Sequence, residues 1–168
     1  MSDGPAAARV VIHGASWEED RAAIERVRRA VFIVEQGIPE ADEWDDTDAV
    51  SRHVLAGAAK RDAVGTGRLE PTGKIGRVAV LLQHRGGGVG SRIVGHLVNQ
   101  ATELGLTQVY LHAQTNAVGF YERLGFRVDG PEFDEVGIPH RRMRQGIEQR
   151  DEHEAGRNGQ SEHSLDPG

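Results

Sequence analysis

Residues 75–91 constrain this chain more than any other stretch. An apolar run beginning at Ile75 passes through Gln83 and His84 into Arg-Gly-Gly-Gly-Val-Gly-Ser at 85–91. Beyond it Val89, Ile93, Val94, Leu97, Val98, Ala101 and Leu104 recur at helical spacing, and Gly105 ends the series. The stretch reads as a buried strand, a glycine turn and an amphipathic helix. The first amides of a helix lack internal acceptors and lie at the positive end of its dipole. Glycines just ahead of them let a ligand approach the backbone closely. Such a junction suits a phosphate or pyrophosphate, with Arg85 able to add charge; the bland alternative is a flexible glycine loop. Two familiar phosphate loops do not fit. A Walker loop needs Gly-Lys-Ser/Thr after four spacer residues, whereas Ser91-Arg92 stand at that distance from Gly86. A dinucleotide fingerprint starting at Gly88 keeps Gly90 but has Ile93 in place of the third glycine.

The rest of the chain supplies the frame. Strands are expected at 9–13, 53–59, 63–69, 109–112, from 126, and at 140–147, with the central strand starting at Ile75. Ser16 is placed to cap a helix that runs to about Glu35, with Ala23, Val27, Ala30, Val31 and Val34 on one face. A short helix is expected at 117–124. The order β, α, loop, βββ, α, β, α, ββ predicts an α+β fold. Its sheet is mixed, mostly antiparallel, and flanked by helices on both faces.

Length and charge narrow the function classes. A chain of 168 residues fits one domain, here 9–147, with 1–8 and 148–168 expected to be disordered. The terminal stretch holds six acids against two bases, so most of the net charge of −6 sits there. The folded part is close to neutral, which is no footprint for nucleic acid. No cysteine is present, which excludes disulfides, thiolate catalysis and cysteine zinc sites. The spacing of His84, His96 and His112 matches no metal-ligand pattern. No apolar run reaches membrane-spanning length, and the first residues lack the regions of a signal peptide, so a cytoplasmic location is expected.

Two motifs carry a resemblance. Arg85-Gly86-Gly87-Gly88-Val89-Gly90 resembles the Gln/Arg-x-x-Gly-x-Gly/Ala motif of the GNAT superfamily of N-acetyltransferases. Phe120-Tyr121-Glu122-Arg123-Leu124-Gly125-Phe126 resembles its second signature. Further segments are similar to the ElaA-type subgroup: 31–36, the acidic loop to Asp46, His53, 76–78, Ala113-Gln114, 137–140 and Met143. The resemblance implies the GNAT fold and acetyl-CoA as donor. It also implies that backbone amides from Arg85, Gly86, Gly87, Gly88, Val89, Gly90 and Ser91 hold the CoA pyrophosphate. Val78, Ala79 and Val80 would pair with the pantetheine arm, and the Val80 amide would reach the thioester carbonyl. Tyr121 would be the general acid. The family often has Asn seven residues before this tyrosine; here Gln114 stands there, as the equivalent polar contact.

Acetyl transfer also needs a neutral amine, and a lysine-type amine has a pKa of about 10.4. Candidate bases are Glu35, Asp46, His53 and His140, or a water chain in their place. Glu35 could instead serve as partner to Arg68 or Arg77. Asp46, His53, His112, His140 and Glu35 are also the candidates for contact with the acceptor. The loop Glu35, Glu40, Asp42, Glu43, Asp45, Asp46 and Asp48 either attracts a cationic amine or is a solvated face. Trp44, at its centre, either covers the acceptor or staples the loop. The expected partner is a small-molecule or peptide amine, with a homodimer left open and neither nucleic acid nor membrane expected. The leading expectation is direct acetyl transfer to a primary amine in a ternary complex. Its rivals are a non-catalytic acyl-CoA sensor or scaffold on the same fold and a phosphate-binding nucleotide protein.

Overall fold

A computed structural model describes residues 9–147. The expected disordered segments, 1–8 and 148–168, lie outside the described residues. Strand β1 (Val11–Ala15) leads into helix α1 (Trp17–Arg28). Ser16 caps α1: its Oγ accepts from the Glu19 amide at 3.1 Å, and its own amide donates to Asp20 at 3.0 Å. The helix then widens into a π-helical segment, Arg29–Glu35, in which the Gln36 amide reaches back five residues to the Val31 carbonyl (3.0 Å). One turn of α-helix, α2 (Glu40–Glu43), and a 3₁₀ turn, Asp46–Val50, complete the acidic loop.

Strands β2 (Arg52–Gly57), β3 (Ala63–Leu69) and β4 (Ile75–Val80) form the antiparallel meander, in the order β1-β2-β3-β4. Alternation sends β2 side chains to opposite layers. Val54 and Ala56 join Ile93 and Leu97 of helix α3 (Val89–Glu103), while Leu55 joins Ile24 and Val27 of α1. Helices therefore cover both faces. Gly65 and Gly67 of β3 let α3 lie directly on the sheet, since a Cβ at either would come within 2.8 Å of Ile93. The apolar run after Ile75 stops being strand at Val80, sooner than its hydrophobicity suggests. Leu82–His84 forms a 3₁₀ turn with Leu82 exposed, because β3 offers no partner beyond Val64.

Strands β5 (Gln108–Gln114), β6 (Arg127–Glu135) and β7 (Ile138–Gly146) form a second antiparallel unit, in the order β5-β7-β6. Helix α4 (Val118–Arg123) follows β5. Among the described residues β4 and β5 are joined by one parallel bridge, Lys74 to Tyr110, where the Tyr110 amide donates to the Gly73 carbonyl at 3.1 Å. Past that bridge the two strands part. The fold is α+β, as expected, but its sheet is split down the middle, and the split makes the cleft.

Candidate active site

The gap between β4 and β5 opens into a cleft of about 1320 Å³. Val78, Ala79 and Val80 form one wall. The direction of the Val80 amide follows from strand register. The Leu81 amide donates to Val64 at 2.8 Å, and Val80 stands opposite Gly65. Pairs alternate along an antiparallel ladder, so the N–H and C=O of Val80 point away from β3 and into the cleft. The carbonyl is taken by Arg85 Nε at 2.8 Å, which leaves the amide facing the opening. A bulge at Arg77, whose φ of 51° is left-handed, breaks the ladder between Thr66 and Arg68. Contacts to Glu43 and Asp45 hold Arg77 in that conformation.

The glycine turn lies at one end of the cleft. Gly86 and Gly88 both have φ of 86°, which only glycine adopts without strain, and Gly88 is the residue from which α3 springs. The first amide with a helical acceptor is that of Arg92, bonded to Gly88 at 3.1 Å. The amides of Val89, Gly90 and Ser91 are the orphan donors of the helix start. A Cβ at Gly86, Gly87 or Gly88 would meet nothing within 4 Å, so the space before the turn is free for a ligand. At Gly90 the demand is different: a Cβ would meet the Phe120 ring at 3.3 Å, and α4 could not close against the turn.

Tyr121 lines the same cleft and stands edge-to-face with Phe120 and Phe126. Burial among these rings pushes its hydroxyl up to about 12, so it stays protonated at neutral pH. Arg123, two residues on, also lines the cleft and was not foreseen from the sequence.

Several acids and histidines lie elsewhere than expected. Glu35 reaches the cleft, but its partner is Arg85, not Arg68 or Arg77. The two side chains form a fork, with contacts of 2.7 and 2.6 Å. The π-helical turn carries Glu35 to the glycine end of the cleft, while Arg68 and Arg77 are occupied by other carboxylates. Pairing with Arg85 holds Glu35 below the usual carboxylate range, which makes it a weak proton acceptor. It also means that the Arg85 guanidinium brings no uncompensated charge to the turn.

The acidic loop is divided: Glu40, Asp42 and Asp46 are solvent-exposed, with Asp42 at the cleft lining, while Glu43, Asp45 and Asp48 are held by arginines. Glu43 and Asp48 are buried, and Arg28, fully buried on α1, bonds both, at 2.8 and 2.7 Å. Arg68 of β3 bonds Asp48 at 2.7 Å and Asp45 at 2.8 Å. Trp44 lies outside the cleft lining. Its Nε1 donates to Glu40, and the Arg28 guanidinium lies 5.0 Å from its ring centroid, so it staples the loop. His53 is not brought to the cleft: it is 1% exposed, stacked on Trp17, with Nε2 on the Asp48 carbonyl at 2.9 Å. Burial lowers its pKa. Asp46 is exposed and also outside the cleft lining.

The wall opposite β4 carries Gln114, His112, His140 and Glu135. Gln114 Nε2 donates to Gln36 Oε1 at 2.9 Å, bridging the two halves of the opening. His140, 5% exposed, has its Nδ1 on the Ile138 carbonyl at 2.7 Å. His112 Nδ1 meets Glu135 Oε1 at 3.0 Å. Glu135 escaped sequence reading, because only the β6–β7 register sets it beside β5. No group of three or more potential metal ligands occurs among the described residues.

A sheet that splays at its centre, with a helix start at one end of the gap, defines an acyltransferase-type domain. The sequence model of the acetyltransferase (GNAT) domain matches residues 32–146, and the chain belongs to that family. Its relatives include the uncharacterized protein YyaT of Bacillus subtilis (strain 168), 42% identical over 121 residues. That match covers 68% of this chain and 81% of the relative. Protein ElaA of Escherichia coli (strain K12) is 35% identical over 127 residues, 70% of this chain and 82% of ElaA. The crystal structure of E. coli ElaA superposes with a TM-score of 0.73 at 28% identity, covering 82% of this chain and 99% of that one. An acyl-CoA N-acyltransferase from Pseudomonas aeruginosa gives 0.72 at 29% identity, with the same coverage of each chain. The chain is thus of the ElaA type within the family, and its reaction class is acyl transfer. No described helix is long and apolar enough to cross a membrane.

Proposed function

We propose that the protein is an acetyl-CoA-dependent N-acetyltransferase that moves an acetyl group to a primary amine by direct attack within a ternary complex. The observation that carries this reading is the unpaired Val80 amide, which faces a cleft shared by the α3 start and Tyr121. The cleft is larger than the ~300–1,000 Å³ of an ordinary ligand pocket, which suits two substrates bound together. In this reading the amides from Gly86 to Ser91 hold the CoA pyrophosphate, and the edge of β4 at Val78, Ala79 and Val80 pairs with the pantetheine arm. Arg123 adds positive charge to the cleft lining.

The amine nitrogen attacks the thioester carbonyl carbon. Negative charge gathers on the carbonyl oxygen, to which the Val80 N–H would donate. The C–N bond forms, the C–S bond breaks, and the Tyr121 hydroxyl gives its proton to the departing thiolate. The burial that raises the phenol also raises a thiolate formed beside it, so the proton match between them survives. No cysteine is available for a covalent intermediate, and no serine stands in a nucleophile setting.

The test is acetyl-CoA turnover, followed by thiol release, against a panel of polyamines, amino sugars, amino acids and peptide N-termini. Amine-dependent release of CoA supports the reading. Acetyl-CoA binding without thiol release for any amine would instead indicate a sensor or scaffold.

A further inference from the structure

The acceptor-side wall carries a side-chain arrangement that transfer to an amine requires and that none of the expected bases supplies. Glu35 is locked to Arg85 through both oxygens. His53 and Asp46 lie outside the cleft lining. Glu43 lies between Arg28 and Arg77. His140 is almost fully buried, with Nδ1 bonded to a carbonyl. His112 differs from all of these. It lines the cleft, its side chain is one-quarter exposed, and Nδ1 is held by a carboxylate. The Glu135 oxygen can only accept at that contact, so the Nδ1 proton is fixed there and the unprotonated nitrogen of the neutral ring is Nε2. No described hydrogen bond uses Nε2. The ring is further fixed by an edge-to-face contact with Phe133 at 5.0 Å. Base and orienting carboxylate come from different strands, β5 and β6, locked by their common neighbour β7.

We propose that His112 is the general base of the acetyl transfer, with Glu135 as its positioning residue. This inference rests on the acyl-transfer reading above. The incoming ammonium gives one proton to His112 Nε2 and becomes a neutral amine. The amine attacks the thioester, the thiolate leaves with the Tyr121 proton, and the amide nitrogen's surplus proton passes through solvent to the Tyr121 phenolate and restores it. The imidazolium then loses its proton to water. The sum is one ammonium and one thioester giving one amide, one thiol and one proton. The negative charge of Glu135 stabilises the imidazolium while it exists. The charged and titratable groups around His112 among the described residues are Glu135 from β6, His140 and Arg142 (the register partner of His112) from β7, Tyr110 on its own strand, and Lys74 at the β4–β5 bridge. Glu135 is the only carboxylate among them.

The experiment uses the full chain, acetyl-CoA and the best acceptor among putrescine, glucosamine and tyramine. In His112→Gln, kcat/KM for the amine should fall about 10²-fold or more, with acetyl-CoA affinity within twofold of wild type. With putrescine, whose amines titrate well above neutral pH as a lysine-type amine does, the residual rate should rise close to tenfold per pH unit between about pH 7 and 8.5, tracking free amine, while wild type levels off. Glu135→Gln should show a smaller loss and a displaced pH profile, and it decides the matter if His112→Gln fails to fold. A His112→Gln enzyme with the wild-type rate and pH profile overturns the proposal while leaving acyl transfer standing. If wild type acetylates none of the three amines, acetyl transfer to simple amines falls, and the base assignment with it.

Discussion

Tyr121 and His53 illustrate how residue type and residue role part company. Both are polar aromatic groups from motif-like segments, yet burial acts on them to different ends. Tyr121 is kept protonated at the cleft, so Tyr121→Phe should lower kcat about 10²-fold with little change in acetyl-CoA affinity. Steady-state kinetics beside titration calorimetry separates the two effects, and unchanged kcat would remove the general-acid role. His53 is kept neutral in the core. Its folded pKa lies below that of the unfolded chain, so the unfolded state binds the extra proton first. Stability is full above about pH 6.5 and is lost as pH falls below it. His53→Gln should flatten the decline of Tm between pH 7 and pH 5.5; a variant with the same slope as wild type would show that another group sets it. The glycines and Tyr121 could be found in the sequence because each does its work within a few residues of its neighbours. Glu135 could not, since its partner His112 is 23 residues away and meets it only through β7.

At the scale of elements, the buried charge cluster ties α1, α2, the Asp46–Val50 turn, β3 and β4 into one support for the cleft wall. Asp48 is its centre, with one oxygen accepting from both Arg28 and Arg68. Asp48→Ala would leave two guanidiniums buried beside a vacancy, which in comparable cases costs about 3–5 kcal/mol. A large drop in the urea midpoint is expected, and a shift under about 1 kcal/mol would show that Glu43 and Asp45 suffice. The sequence displayed the acids of this loop but not their partners, because Arg28, Arg68 and Arg77 come from three other elements. The α3 junction is the opposite case. Its glycine turn is local, and Gly88→Glu should abolish CoA binding by placing a strained backbone and a negative charge at the helix start. Retained affinity by calorimetry would reject the pyrophosphate assignment.

For the whole molecule, the decisive feature is the split between β4 and β5. A ligand lying in that split touches both units and should stabilise the fold as a body. At acetyl-CoA concentrations near 100 times Kd the gain is about 2.7 kcal/mol, readable as a rise in Tm, with ATP and NAD giving no comparable rise. The order of strands and helices, the glycine turn and the tyrosine signature were determined by the sequence itself. They rest on period, glycine conformation and short-range spacing, which a linear text carries. The split of the sheet, the inward turn of the Val80 amide, the arginine pairing of Glu43, Asp45 and Asp48 and the meeting of His112 with Glu135 were decided only by the tertiary structure. Each depends on register between strands or on a charge from a distant element, and neither leaves a mark in local sequence.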